Sequence, residues 1–129
     1  MKGPRIAAVA LILAFAGGMA YVRLAPDDPV RWHVAPPVMA VTAAAQGRAD
    51  IAPARATPRT TLLAGAPETG MITWVTRSRL FGFPEYPTAA ATPAAGGCRL
   101  DIVARQRFGR GDMGVNAARL RDWLGQLAP

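Results

Sequence analysis

Between Ile6 and Val22 the chain reads IAAVALILAFAGGMAYV, with no charged side chain, and it is bracketed by Lys2 and Arg5 on one side and Arg23 on the other. A run of this kind must leave water as a unit, and basic flanks suit a membrane better than a soluble core. At ~1.5 Å per residue, its roughly 17 residues cover about 25 Å, somewhat short of a hydrocarbon core of ~30 Å. A spanning helix therefore needs Tyr21 and Leu24 at the interface. The competing reading is a cleavable signal peptide, with an apolar region from Ile6 to Phe15 and the small-x-small pattern Ala14-Phe15-Ala16 before Gly17. A retained anchor is expected, because apolar character continues through that point to Val22. A buried soluble helix is the remaining alternative.

In both membrane readings the N-terminal positive charges stay cytoplasmic, which places residues 25–129 on the other side. The expected location is the inner membrane, single-pass, with the C-terminal domain in the periplasm. Secretion to the periplasm after signal cleavage is the alternative.

A chain of 129 residues has room for one domain. We divide it into an anchor or signal segment (1–24), a proline-rich linker arm (25–37) and a single domain (38–129). The formal charge of +7 is partly a property of the anchor: without Lys2, Arg5 and Arg23, the remainder carries 12 basic residues against 8 acidic, or +4. All of these remaining basic residues are arginines. A GC-rich coding sequence explains that preference, and attraction to phosphate or lipid headgroups is the functional alternative. Cys98 is the single cysteine, so no intrachain disulfide and no cysteine-based metal cluster can form. At the start of an expected strand it reads as a small core residue.

The arm APDDPVRWHVAPP carries prolines at 26, 29, 36 and 37, which oppose regular structure and suggest an extended linker or docked arm that lifts the domain off the membrane. Trp32 is expected to pack on the domain or at the interface, and His33 lacks the partner histidines that a metal site needs. Residues 38–47 have helix-forming composition ending at Gly47, and 60–64 suggest a short strand. MITWVTRSR from Met71 is β-branched and aromatic, 85–92 is a weaker extended stretch, and CRLDIVARQRF from Cys98 to Phe108 alternates with period two. Ile72, Trp74 and Thr76, with Leu100, Ile102 and Ala104, are the expected inner rows. Arg77, Arg79, Arg99, Asp101, Arg105 and Arg107 fall on the opposite, solvated face.

Asp112 is placed to cap a final helix whose apolar positions Ala117, Leu120, Trp123, Leu124 and Leu127 recur at three- and four-residue spacing. The expected fold is α+β. It comprises a small antiparallel meander of three to four strands, covered by this C-terminal amphipathic helix and preceded by the N-terminal membrane helix.

Chemistry is sparse. The chain has one histidine, one thiol, two glutamates (Glu68 and Glu85), no glycine-x-serine-x-glycine elbow and no phosphate-binding loop. No enzyme activity, cofactor or metal is expected. The candidate ligand-binding residues are Arg77, Arg79, Arg105, Arg107, Asp112, Asn116 and Arg119. Guanidinium forks, a glycine-rich turn and free helix amides could together hold a phosphate or carboxylate. Solvated arginines that pair with Asp101 and Glu85 are the plainer alternative. Asn116 lies on the inward face of the helix, where an amide needs partners, and a role in tying the helix start to the turn near Gly109 is the first expectation.

The segments TRSRLFGFPE (76–85) and RQRFGRGDMGVNAARLRDWL (105–124) resemble the bacterial domain-of-unknown-function family 1499, and LAPDDPVRWHV (24–34) resembles the membrane-proximal arm of its anchored members. The resemblance spans roughly residues 26–127, with specific motifs from Thr76 onward. It places Arg77, Arg79, Phe81, Gly82, Phe83, Arg105, Arg107, Gly109, Asp112, Gly114, Asn116 and Arg119 at motif positions. Glu85-Tyr86 and Gln106 depart from the family pattern, which puts a role for a hydroxyl at position 106 in doubt. The resemblance implies the architecture and brings no activity with it. The functional expectation is a non-catalytic envelope domain that binds an anionic ligand, such as a lipid headgroup, or a protein partner. An accessory interaction module without a small ligand is the alternative, and an enzyme of unrecognised type is a third, less favoured reading. Nucleic acid is not an expected partner of an exported domain.

Overall fold

The computed structural model describes residues 3–37, 43–45, 52–95 and 97–127. The apolar run forms the helix α1 (Gly3–Leu24), which is long and apolar enough to cross a membrane. A signal sequence meets the same criteria of length and composition. The large side chains Ile6, Leu11, Leu13 and Phe15 on α1 are exposed.

Of the two readings of the arm, the docked one holds, with a helical turn in place of wholly irregular chain. Asp28 accepts a hydrogen bond from the Val30 amide, and Pro29 opens a one-turn helix α2 (Pro29–Trp32). Proline is compatible with this position because the first-turn amides have no intrahelical acceptor. The turn buries Trp32 against the sheet, so the arm is docked rather than spacing the domain away.

A short strand β1 (Ala43–Ala45) follows, then a helical turn α3 (Ala52–Ala56). The meander comprises β2 (Thr60–Ala66), β3 (Met71–Arg77), β4 (Pro84–Ala94) and β5 (Gly97–Gln106), and the last helix is α4 (Val115–Leu127). Every pairing is antiparallel, in the order β1-β5-β4-β3-β2. The four long strands are the expected meander, and β1 adds a fifth. That strand corrects the helix expected over 38–47 at Ala43–Ala45. The rest of that stretch lies outside the described residues. An alanine run has no side-chain pattern of its own, and the free edge of β5 decides its conformation.

Each face of the sheet has its own core. On one, Ile72, Trp74, Ala89, Leu100 and Ile102 pack with Ala54 and Trp123, and with Leu120, Leu124 and Leu127 of α4. The Trp74 and Trp123 rings meet edge to face at 6.0 Å, and the Trp123 indole N–H donates to Thr57 Oγ1 at 2.8 Å. Ile72, Trp74, Leu100 and Ile102 of the predicted inner rows and Leu120, Trp123, Leu124 and Leu127 of the predicted helix face lie here, whereas Thr76 is buried outside this cluster, Ala104 is half-buried and Ala117 is exposed. On the other face, Trp32 stacks on Tyr86 at 4.1 Å, with Val75 and Leu63 beside them. Beyond this cluster His33 Nδ1 meets Thr73 Oγ1 at 2.8 Å, and Thr73 meets Thr88 at 2.9 Å. Alternation assigned the two faces correctly, but the second is covered rather than solvated. Gly65 records how closely the arm approaches: at φ 88°, a Cβ there would lie 2.8 Å from a His33 ring carbon and 2.0 Å from the Met71 carbonyl oxygen.

Candidate functional site

The candidate arginines have different partners, set by strand direction. Residue Arg105 pairs across β4–β5 with Tyr86, so both project toward the arm. Its guanidinium donates to the carbonyls of Val34 and Ala35, each at 3.1 Å. Arg107 donates to the Pro26 carbonyl at 2.7 Å. Arg77 forms an ion pair with Asp27 at 2.7 Å and also reaches the Gly82 carbonyl at 3.2 Å. Asp27 accepts in turn from the Tyr86 hydroxyl at 2.7 Å. Burial raises the Tyr86 pKa, and the hydrogen bond to Asp27 raises it further against the opposing effect of Arg107. Arg107 itself is held above its ordinary value, first by its hydrogen bond to Tyr86. Three of the predicted ligand residues thus clamp the arm.

A second group sits where α4 begins. The carboxylate of Asp112 accepts from the amides of Gly114 and Asn116, so it fills the positive end of the helix that an anion would otherwise use. These contacts, led by the Asn116 amide, hold its carboxyl below the ordinary range. Asn116 is buried, as expected of an inward amide, and its Oδ1 accepts from Arg119 at 2.7 Å. Arg119 also pairs with Glu85 at 2.8 Å, with only 14% and 8% of the two side chains exposed. The anticipated pairing of the strand arginines with Asp101 and Glu85 is therefore different in detail: Asp101 pairs with Arg99 at 3.0 Å, and Glu85 with Arg119.

The remaining candidate, Arg79, lines with Arg77 an open cleft of about 470 Å³ beside the last turn of α1, bounded also by Arg23, Arg59, Thr61, Val75, Ser78 and Gly82. Its lining holds four arginines and no acidic residue; the Arg77 guanidinium is paired with Asp27, and that of Arg23 is bonded to the Leu80 and Phe81 carbonyls. Arg59 donates its Nε to the Arg77 carbonyl at 3.1 Å, and Arg79 is exposed. Asp112 and Asn116 line a different hollow, of comparable volume, with Arg110 and Leu120. The seven predicted residues are thus divided among the arm clamp, the helix cap and the cleft. Sequence reasoning missed Arg23 and Arg59 as neighbours of Arg77, because their separation along the chain conceals an adjacency made by β2–β3 pairing and by the docking of α1.

The architecture is that of a small α+β domain with its proximal arm folded back onto the sheet at the end of an apolar helix. The model of the family described as a protein of unknown function (DUF1499) matches residues 24–127, and the chain belongs to that family. No curated protein and no solved structure matches the chain.

Proposed function

We propose that this protein is a non-catalytic envelope component, held in the inner membrane by α1 with residues 25–129 in the periplasm, whose basic cleft binds an anionic group. The observation that carries the reading is the cluster of Arg23, Arg59 and Arg79, beside the Asp27-paired Arg77, around an open cleft with no acidic residue in its lining. Guanidinium groups supply planar, bidentate donors to phosphate and carboxylate oxygens. The non-catalytic reading draws support from the remaining polar groups. His33 is hydrogen-bonded to Thr73, Cys98 is buried, Asp27 and Glu85 are in ion pairs, and Asp112 caps a helix.

Native mass spectrometry of the full chain in mild detergent tests both parts. The expected result is an intact N-terminus and a co-purifying anion or phospholipid that is lost when Arg59 and Arg79 are both changed to Ala. A mature chain that begins at Gly17 overturns the anchor. A clean apo mass in the unmodified protein overturns the anion site and favours an accessory interaction module.

A further inference from the structure

The apolar side chains at the exit of α1 have no role in either core. Leu80, Phe81 and Phe83, in the turn between β3 and β4, are 72%, 38% and 37% exposed, and Tyr21 on α1 is 62% exposed. The three rings form one surface with Phe108, and Leu80 stands next to Phe81 in the same turn. The Tyr21 and Phe108 rings meet at 5.9 Å, Phe108 and Phe83 at 6.3 Å, and Phe83 and Phe81 at 5.7 Å. The turn that carries them is tied at its base: the Ser78 amide donates to the Phe83 carbonyl at 3.0 Å, and the Phe83 amide donates to Ser78 Oγ at 2.9 Å. Gly82 takes φ +73° where the Arg23 side chain passes, 3.2 Å from a would-be Cβ. Arg23 then donates to the carbonyls of Leu80 and Phe81. A single-pass anchor would need none of this, and contiguous exposed apolar surface in a folded domain marks a contact.

We propose that this rim is a second membrane contact, in which the β3–β4 turn and Phe108 sit in the interfacial layer of the same leaflet that α1 leaves. The inference rests on the reading of α1 as a spanning anchor. The depth follows from the helix. The apolar run covers about 25 Å against a hydrocarbon core of ~30 Å, so the bilayer must reach the last turn of α1 if the helix is to span it. That turn, with Tyr21, Val22 and Arg23, is the one the rim touches, through the Tyr21–Phe108 ring contact and the Arg23 hydrogen bonds. Aromatic rings with arginines behind them are the side chains that settle at headgroup level. Here the Arg107 guanidinium lies over the Phe108 ring at 5.3 Å, and Arg23 is bonded to the turn that carries Phe81. The domain is thus seated on the bilayer surface, and the basic cleft, which shares Arg23, Arg79 and Gly82 with the rim, opens beside the headgroups.

Tryptophan placed at single positions of the full chain tests the contact, because the native Trp32, Trp74 and Trp123 are buried at 7%, 2% and 0% exposure. Three variants are compared with the unmodified protein: Phe15→Trp within α1, Leu80→Trp on the rim, and Glu68→Trp in the turn at the opposite end of β3. Each is reconstituted into vesicles of phosphatidylethanolamine and phosphatidylglycerol, with or without brominated acyl chains. The expected result is added emission that is blue-shifted and quenched by brominated lipid for Phe15→Trp and Leu80→Trp, and unquenched for Glu68→Trp. Quenching of Phe15→Trp without quenching of Leu80→Trp overturns the rim contact and leaves the anchor standing. Absence of quenching at both overturns the anchor and the rim together. Equal quenching at all three positions means that the whole domain adsorbs, which also overturns a contact specific to the rim.

Discussion

Asp112 and Glu85 show how a single carboxylate can be committed to structure in a chain with few acids. Asp112 stands outside α4 and accepts from the Gly114 amide just before the helix and from the Asn116 amide in its first turn. Asp112→Ala should cost about 1 kcal/mol of stability, the usual worth of an N-cap, measured by urea unfolding at neutral pH. Because its folded pKa lies below the ordinary 3.8, the cap's contribution is present above that value and is lost as pH falls through the folded value. Asp112→Asn should flatten that part of the acid stability profile. The Glu85–Arg119 pair is a different case, since both members are nearly out of water. Arg119→Met leaves Glu85 uncompensated and should cost about 3–5 kcal/mol, a large share of a small domain's stability. Adding Glu85→Gln should recover much of that loss, a coupling that a double-mutant cycle reads directly. These pairings were only half legible in the sequence. The cap follows from an acidic residue ahead of an amphipathic repeat, whereas Arg119 meets Glu85 only because α4 crosses β4.

The arm is the element whose behaviour the tertiary structure changes most. Its prolines signal an irregular segment, yet Asp28 and Pro29 start a turn that delivers Trp32 onto Tyr86. Trp32→Ala should cost about 3–5 kcal/mol, as truncation of a buried large aromatic does. Trp32→Phe should cost much less, since the indole N–H has no hydrogen-bond partner among the described residues. Changing Arg105 and Arg107 to Ala removes the donors to Val34, Ala35 and Pro26. Amide hydrogen exchange should then rise across residues 25–37 while β3–β5 remain protected, the signature of local rather than global opening. The strands themselves were readable because alternation is a local property. Pro87 within the central strand β4 was the obstacle there: it has no N–H to donate, and the β3–β4 ladder is bridged on either side of it, at Thr73–Thr88 and Thr76–Glu85.

At the scale of the whole molecule, a docked arm and a tied β3–β4 turn make the domain and the end of α1 one mechanical unit. If α1 is the anchor, a cysteine introduced at Glu68, in a chain carrying Cys98→Ala, should react with a membrane-impermeant maleimide added from the periplasmic side. Reaction only after lysis would reverse the proposed orientation. Local patterns in the sequence determined the apolar helix, the two faces of the meander, the amphipathic α4 and its cap, because hydrophobic periodicity and end-capping depend on neighbours a few residues away. Only the tertiary structure decided that the arginine face is covered by the arm, that Arg23 and Arg59 join Arg77 and Arg79, and that Glu85 belongs to Arg119. Those outcomes depend on which backbone carbonyls and charges from distant segments arrive beside each guanidinium, and no spacing along the chain encodes that arrival.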